Sequence, residues 1–206
     1  FTITVNPTAQ VNQPDPVTVC SGGQVAAITF GTTNTGITPS YNWQVTGDAI
    51  GLSSTSGTGA IPTFAAVNGG LSPLTATVTV TPSIGGCDGP SKTFTITVNP
   101  TAQVNQPDPV TVCSGGQVAA ITFGTTNTGI TPSYNWQVTG DAIGLSSTSG
   151  TGAIPTFAAV NGGLSPLTAT VTVTPSIGGC DGPSKTFTIT VNPTAQVNQP
   201  DPVTVC

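Results

Sequence analysis

Cysteine has the most evident capacity for chemistry among the side chains of this sequence. Disulfides form and persist in oxidising compartments and are typical of small secreted domains. A zinc site would need more ligands, from histidine or a CxxC pair, and the chain contains no histidine. We therefore expect disulfides, an oxidising compartment and no bound metal or cofactor. The five cysteines are Cys20, Cys87, Cys113, Cys180 and Cys206.

The composition restricts every other kind of chemistry. The 206 residues include seven Asp and two Lys but no Glu, Arg, His or Met, and the net charge is -5. Histidine is the commonest general base in enzymes, and nucleic-acid binders neutralise phosphates with Lys or Arg. The sequence thus predicts no enzyme, no catalytic residue and no nucleic-acid partner. It also lacks an apolar run of the length that a membrane-spanning helix needs.

The aspartates and lysines recur at isolated positions. Asp15, Asp48 and Asp88 each stand beside Pro or Gly, whereas a calcium ion takes six to eight oxygen ligands, often from several carboxylates. Turn residues are the favoured interpretation. Lys92 could form an isopeptide bond only if it were buried beside a carboxylate. Its position after Pro90-Ser91 predicts a solvated hairpin edge instead.

An exact internal repeat organises the chain. The segment FTITVNPTAQVNQPDPVTVC begins at Phe1, Phe94 and Phe187, a spacing of 93 residues (94 − 1 and 187 − 94). Residues 1–93 and 94–186 are identical. Cys206 is then the first cysteine of a third, incomplete copy. A unit of this length fits one β-sandwich of about 100 residues, and the identity of the copies predicts a longer array.

The repeat leaves two cysteine pairings open. The favoured pairing lies within one repeat, Cys20 with Cys87 and Cys113 with Cys180, because secreted modules usually carry their own disulfide. Each bond would span 67 residues (87 − 20). In a simple Ig topology, however, Cys20 and Cys87 would lie at opposite ends of the sandwich. A bond from Cys20 to Cys180 would avoid that difficulty and would join consecutive repeats covalently.

Alternating apolar and polar residues predict the strands, since side chains on a strand alternate between faces. The clearest alternation covers residues 41–45, 74–81 and 94–98. Weaker patterns predict strands at 25–30, 50–53 and 61–67, the last of which ends at the hairpin-turn signal Asn68-Gly69. About seven short strands per repeat describe an all-β, Ig-like sandwich. The predicted core anchors are Trp43 and Trp136.

Strand pairing sets the predicted domain boundaries. The strand at 94–98 is expected to pair with the strand at 74–81, because neighbouring strands in sequence usually pair. It therefore closes the sandwich that contains Trp43. The prediction is a sandwich at residues 8–100, a second at 101–193, the last strand of a preceding repeat at 1–7 and the first strand of a following repeat at 194–206.

Several short motifs resemble the PKD-like repeat, an Ig-like module found in tandem in large bacterial surface proteins exported by the type IX secretion pathway. They are Val19-Cys20-Ser21-Gly22-Gly23, Tyr41-Asn42-Trp43, residues 76–82 followed by Gly86-Cys87, and residues 94–100. The resemblance implies a seven-strand sandwich, export to the cell surface and a role as stalk, adhesin or fibre. The WxFGDG stretch of the related polycystin-type module is only partly kept after Trp43.

Three functions follow as hypotheses, of which the third is a non-catalytic spacer in a large secreted enzyme whose catalytic domain lies outside this sequence. The first is a structural and adhesive stalk segment of an extracellular tandem-repeat fibre. Its predicted partners are the neighbouring identical repeats of the same chain, and side-by-side association into a filament is also predicted because the chain carries little charge. The alternative is a repeated carbohydrate- or surface-binding module that gains avidity from its copies. Against the alternative, the aromatic residues are in phase with core positions, so no stacking platform for a sugar is predicted.

Overall fold

The computed structural model describes residues 1–205. All regular secondary structure in that range is β-strand. The prediction of tandem Ig-like β-sandwiches is confirmed, with eight strands in each repeat rather than about seven. The first repeat contains β1 (Val17–Cys20), β2 (Gln24–Val25), β3 (Ser40–Gly47), β4 (Ser56–Thr58), β5 (Phe64–Ala65), β6 (Leu74–Ile84), β7 (Cys87–Asp88) and β8 (Lys92–Asn99). The second contains β9 (Val110–Cys113), β10 (Gln117–Val118), β11 (Ser133–Gly140), β12 (Ser149–Thr151), β13 (Phe157–Ala158), β14 (Leu167–Ile177), β15 (Cys180–Asp181) and β16 (Lys185–Asn192).

Two sheets form the first sandwich. The larger sheet has the strand order β1-β8-β6-β3-β4, with β7 also paired to β6, and the smaller sheet consists of β2 and β5. The predicted pairing of the last long strands is confirmed, because β6 lies antiparallel to β8. The first strand, β1, lies parallel to β8 at the edge of the larger sheet. The second repeat has the same strand order, β12-β11-β14-β16-β9 and β10-β13.

The core of each sandwich follows from the alternation in the long strands. On β6 the side chains of Ala76, Val78 and Val80 are fully buried, and the threonines between them face outward. This is the pattern that the two-residue period of a strand requires. Trp43 belongs to the same apolar cluster, and Trp136 belongs to a separate cluster of equivalent residues. Each repeat thus has its own hydrophobic core.

The outward threonines form a continuous polar face on the larger sheet. Thr75, Thr77 and Thr79 of β6 pair with Thr97, Thr95 and Thr93 of β8. β-branched residues are favoured on such half-exposed surfaces. The face therefore presents hydroxyl groups to solvent, with hardly any charge.

Close contacts divide the chain into two compact units. The first comprises residues 1–102 together with 127–131 and 177–181, and the second comprises 103–126, 132–176 and the described residues from 182 onwards. The first unit therefore includes two short segments that the sequence assigns to the second repeat. The predicted limits of the two sandwiches, 8–100 and 101–193, stay a prediction.

The weakly patterned strands differ from the prediction. In place of strands at 25–30 and 61–67, the structure has the short strands β2 and β5 and an isolated bridge between Ile28 and Ile61. The predicted strand at 50–53 is absent, and the partner of β3 on that side is β4. The three residues of β4, Ser56, Gly57 and Thr58, offer no apolar alternation, so this strand is set by pairing with β3 and not by local pattern.

The hairpin-turn prediction at Asn68-Gly69 is also wrong. Asn68 is only 4% exposed, and its side-chain amide donates hydrogen bonds to the carbonyl oxygens of Ser72 at 2.9 Å and Val98 at 2.8 Å. Its side-chain oxygen accepts from the Gly70 N–H at 2.9 Å. Because these bonds use both amide hydrogens and the oxygen, Asn68 is a buried crosslink between a loop and the end of β8.

Trp43 is covered by the neighbouring strand β4. The indole is 5% exposed, and a Cβ atom placed on Gly57 would lie 2.7 Å from its Cε2 atom. The backbone of β4 can approach the ring this closely because position 57 has no side chain. The buried indole N–H has no hydrogen-bond partner, and the same holds for Trp136.

Replacing Gly57 by alanine is expected to destabilise the first sandwich by about 1–3 kcal/mol, as overpacking of a core usually does. The added methyl group would overlap the buried indole ring of Trp43. Urea unfolding of Gly57→Ala measures the loss. Gly69→Ala is the matched control, because a Cβ atom there would meet nothing within 4 Å. Equal stability of the two variants would contradict this description of the core.

Candidate functional site

A disulfide bond joins Cys20 to Cys180 within the first compact unit, with 5.6 Å between their Cα atoms. Cys20 is the last residue of β1, and β15 begins at Cys180. The two residues are separated by 160 positions and belong to consecutive repeats in the sequence. The bond is therefore a covalent link from one repeat to the next.

The structure thus corrects the favoured pairing of Cys20 with Cys87 and of Cys113 with Cys180. Cys20 pairs in register with Asn99, at the end of β8 that lies beside Leu74. Cys87 pairs with Ile84, at the other end of β6. The 11 residues of β6 rise about 3.3 Å each, which places the two cysteines roughly 30 Å apart. Disulfides require Cα separations below about 7 Å.

Several contacts surround this bond in the first unit. A Cβ atom on Gly178 would lie 2.9 Å from Nδ2 of Asn99, and the positive φ of 58° at this residue also favours glycine. The N–H of Thr128 donates to the carbonyl oxygen of Leu71 at 2.9 Å. Asn127 donates from its side chain to the same carbonyl and to that of Thr101, both at 3.2 Å. The segment 127–131 is therefore held by hydrogen bonds, and the segment 177–181 is held by the disulfide.

The two remaining described cysteines, Cys87 and Cys113, are exposed thiols. Each is the repeat equivalent of a bonded cysteine: Cys87 corresponds to Cys180, and Cys113 corresponds to Cys20. Equivalent cysteines in identical sequence are therefore bonded at one position and free at the other. Sequence alone could not distinguish them. Cys206 lies outside the described residues.

The aspartates lie apart from one another. Among residues 1–205, no group of three or more His, Cys, Asp or Glu side chains is placed to hold a metal ion. Asp48 follows β3, and its Oδ2 atom accepts a hydrogen bond from the Thr75 N–H at 2.7 Å. Asp141 does the same with Thr168 in the second repeat, also at 2.7 Å. These carboxylates cap the chain ends of a strand pair, as turn-forming residues do.

Asp48→Ala is expected to lower the unfolding free energy of the first sandwich by about 1 kcal/mol, the usual value of one hydrogen bond. Asp48→Asn keeps an acceptor oxygen and is expected to retain most of that stability. Addition of millimolar calcium should change the melting temperature of neither variant nor of the parent protein. Scanning calorimetry with calcium and with a chelator checks this. A calcium-dependent rise that Asp48→Asn abolishes would contradict the capping role.

Lys92 begins β8 and is exposed. It pairs in register with Val80 of β6, whose side chain is buried in the core. An isopeptide bond would require the lysine amine to be buried beside a carboxylate, and Lys92 does not have that position.

The Tyr134 phenol lies in the hydrophobic core of the second repeat. Burial raises its pKa above the ordinary value of 10.0, and a hydrogen bond with the side chain of Thr125 partly opposes this effect. The ring is 9% exposed and packs against Phe123, with 5.5 Å between ring centroids. Its environment is that of a core residue.

A groove recurs in both repeats beside the edge strand of the larger sheet. In the first repeat it has a volume of about 500 Å³, and in the second about 510 Å³. The first is lined by amide, hydroxyl and apolar side chains, including Gln13, Asp15, Gln24, Ile28 and Phe30. Val17 and Val19 of β1 form another wall. The sequence did not indicate this groove, because it arises from the gap between β1 and β2.

In residues 1–205 there is no helix suited to crossing a membrane. No protein-family model and no curated protein matches the chain.

Several solved structures of tandem domains align with the chain. Dpr2 Ig1-Ig2, in complex with DIP-Theta, aligns with a TM-score of 0.44 and 12% identity, over 91% of this chain and 67% of that chain. The chicken CNTN1 FN1-FN3 domains align with a TM-score of 0.42 and 11% identity, over 89% and 67%. A set of titin domains aligns with a TM-score of 0.46 and 15% identity, over 87% and 64%. The assignment as tandem sandwiches rests on the sheets described above.

Proposed function

We propose that this chain is a structural and adhesive stalk segment of an extracellular tandem-repeat fibre on a bacterial cell surface. The observation that carries the proposal is the Cys20–Cys180 bond, which links consecutive repeats. Disulfides persist in oxidising compartments such as the cell exterior. A covalent link between repeats serves a protein that bears tension along its length.

The bond gives tension a path that avoids most of the hydrophobic cores. Force that enters at residue 20 leaves at residue 180 through the sulfur atoms, so the 160 positions between them carry little load. Strands β2 to β8 of the first repeat and β9 to β14 of the second lie inside that protected stretch. A stalk that must hold its length under flow gains resistance to unfolding from this arrangement.

Two further features support a role at the cell surface. The resemblance to PKD-like repeats of type IX-exported proteins covers the whole 93-residue unit and supports export and tandem use. The threonine face of β6 and β8 carries hydroxyl groups, and the chain has few charges that would cause repulsion. We therefore expect identical repeats of the same chain to be its main partners, with side-by-side association of fibres through this face and no nucleic-acid partner.

Electron microscopy of arrays with two, four and eight copies of the repeat tests the stalk function. Each copy is expected to add roughly 30–45 Å of length, the span of its long strands with a short linker. Arrays in which every cysteine is serine should keep that increment but bend more sharply, because consecutive repeats are no longer bonded. A length that does not grow in proportion to copy number would overturn the proposal.

The recurrent groove supports the alternative function, a repeated carbohydrate- or surface-binding module. Its amide and carboxylate groups lie beside the apolar side chains of Ile28 and Phe30, a combination common in ligand sites. A glycan array probed with the two-repeat chain tests this alternative. Binding that is lost in a chain with Gln24→Ala and Gln117→Ala, one substitution for each groove, would favour it over the stalk.

A further inference from the structure

One wall of the recurrent groove is a strand edge whose backbone has no partner. In the first repeat the N–H and C=O groups of Ile28 bond to those of Ile61, both at 3.0 Å. Neighbouring residues of a strand direct their backbone groups to opposite edges. The backbone groups of Ala27 and Thr29 therefore face away from Ile61, and both residues line the groove. Within residues 1–205 these groups make no hydrogen bond.

A crossing of the chain between the two sheets leaves this edge open. The Gly31 carbonyl, two positions beyond Thr29, accepts a hydrogen bond from the Asn12 N–H at 2.9 Å. The segment before β1 thus begins to pair with the edge, but Pro14 and Pro16 have no N–H with which to continue. The chain then joins the larger sheet, where β1 pairs with β8.

The crossing segment is fixed in the same way in both repeats. The side chain of Gln13 donates to the Thr93 carbonyl at 2.7 Å, and Gln106 donates to the Thr186 carbonyl at 2.8 Å. Neither groove has a residue of the other repeat in its lining, and the volumes of about 500 and 510 Å³ agree. The groove is therefore a property of each repeat by itself and is formed before any ligand arrives.

Apolar side chains extend from the groove into the core. Val17, Val19, Ile28 and Phe30 are half-buried, and all four pack against the hydrophobic cluster of the first repeat. An extended ligand that places alternate side chains on them would bury apolar surface on both partners. Asp15 is the only charged residue in the lining. The groove thus combines a strand edge, an apolar wall and one negative charge.

We propose that the groove of each repeat binds an extended peptide segment of a partner protein, which pairs as an added strand with the open edge at Ala27 and Thr29. The equivalent edge of the second repeat is formed by Ala120 and Thr122. In strand addition, main-chain hydrogen bonds supply affinity and alternate side chains supply specificity. The segment has small apolar side chains at alternate positions and a lysine or arginine that reaches the aspartate.

Charge favours such a partner over a second copy of this chain. The chain has a net charge of -5 and only two lysines, so it brings few cations to the groove. The open edge favours a peptide over a sugar, because a strand presents N–H and C=O groups at the spacing of the edge. The inference adds a binding function to the proposed stalk and does not depend on it. Repetition of the groove along an array would add avidity.

Fluorescence anisotropy with labelled peptides tests the proposal. The probes are the peptide Lys-Val-Thr-Val-Thr-Val-Lys and a panel in which each valine is replaced by alanine, isoleucine or leucine. Members of this panel are expected to bind saturably, with one site for each repeat. If no member of the panel binds the chain, the proposal is wrong.

Variants of the open edge locate the binding. Ala27→Pro combined with Ala120→Pro removes an N–H from each edge and should weaken binding about tenfold, since one peptide carbonyl loses its partner. These N–H groups have no partner in the free protein, so the melting temperature should stay that of the parent. Ala27→Val combined with Ala120→Val keeps the N–H groups and is the matched control. Equal affinity of the proline and valine variants would overturn strand addition.

Methylated peptides test the pairing on unaltered protein. Alternate N–H groups of a strand point to opposite edges. Methylation of one alternate set of peptide nitrogens should therefore abolish binding, and methylation of the other set should leave it unchanged. An equal effect of the two methylation patterns would contradict pairing with a single strand edge.

The charge and the competing ligands are tested last. Asp15→Asn combined with Asp108→Asn should weaken binding of the lysine-ended peptide roughly twofold to fivefold. Binding of a glutamine-ended peptide should not change. Sugar binding that survives the proline variants, or self-association of the chain that they abolish while no peptide binds, would assign the groove to another ligand and overturn the proposal. Growth of array length with copy number is measured without peptide, so the stalk function stands or fails separately.

Discussion

Pulling the oxidised chain by its two ends is expected to extend it by no more than roughly 150–165 Å, at 3.3–3.6 Å per residue. The Cys20–Cys180 bond spans 160 of the 206 positions, which leaves 46 in the path of the force (206 − 160). Reduction releases the enclosed residues and should add roughly 550 Å of contour length. Single-molecule force spectroscopy with and without a reducing agent measures the difference.

The control for this experiment is a chain with Cys87→Ser, Cys113→Ser and Cys206→Ser, which keeps the Cys20–Cys180 bond. It should give the short extension when oxidised and the long one when reduced. A Cys20→Ser chain should give the long extension under both conditions. The same long extension for oxidised and reduced parent protein would show that the bond does not carry the load.

Trp43→Ala is expected to destabilise the first sandwich by about 3–5 kcal/mol, the usual loss when a buried tryptophan is truncated. Domains of this size have only 5–15 kcal/mol of stability in total, so the sandwich should unfold at much lower urea concentrations. The remaining Trp136 lies in the separate core of the second repeat. Its fluorescence should therefore keep the parent midpoint, while circular dichroism shows an additional early transition.

Trp136→Ala is the reciprocal variant, in which Trp43 fluorescence reports on the undisturbed first core. Trp43→Phe should cost less than Trp43→Ala, since it keeps most of the ring and removes an indole N–H that has no hydrogen-bond partner. If either alanine variant shifts the fluorescence midpoint of the distant tryptophan by as much as its own, the two cores do not fold separately.

Local pattern was sufficient for the strands that span the core. The alternation around Trp43, along residues 74–81 and along 94–98 corresponds to β3, β6 and β8, because each has one face on the core and one in water. It failed for β2, β5 and β4, whose two or three residues are too short to show a period. Asn68 was misread since its side chain acts through distant carbonyls, which turn propensity does not register.

The candidate site depended on topology more than on pattern. The cysteine pairing was decided by the parallel placement of β1 on β8, which sends Cys20 to the end of the sheet away from Cys87. The differing exposure of Leu71 and Leu164 lay beyond any sequence argument, because the two residues have identical neighbours in sequence.

The long span of the Cys20–Cys180 bond imposes an order of events on biosynthesis. At 5–20 residues per second, residue 180 emerges roughly 10–30 s after residue 20. Cys87 emerges earlier, and it is the first thiol that Cys20 could meet in the nascent chain. Sandwich domains fold in milliseconds to seconds, and once β1 and β6 are in place those two thiols are held roughly 30 Å apart. Prompt folding of the first sandwich therefore protects Cys20 from a premature partner until its correct one has been made.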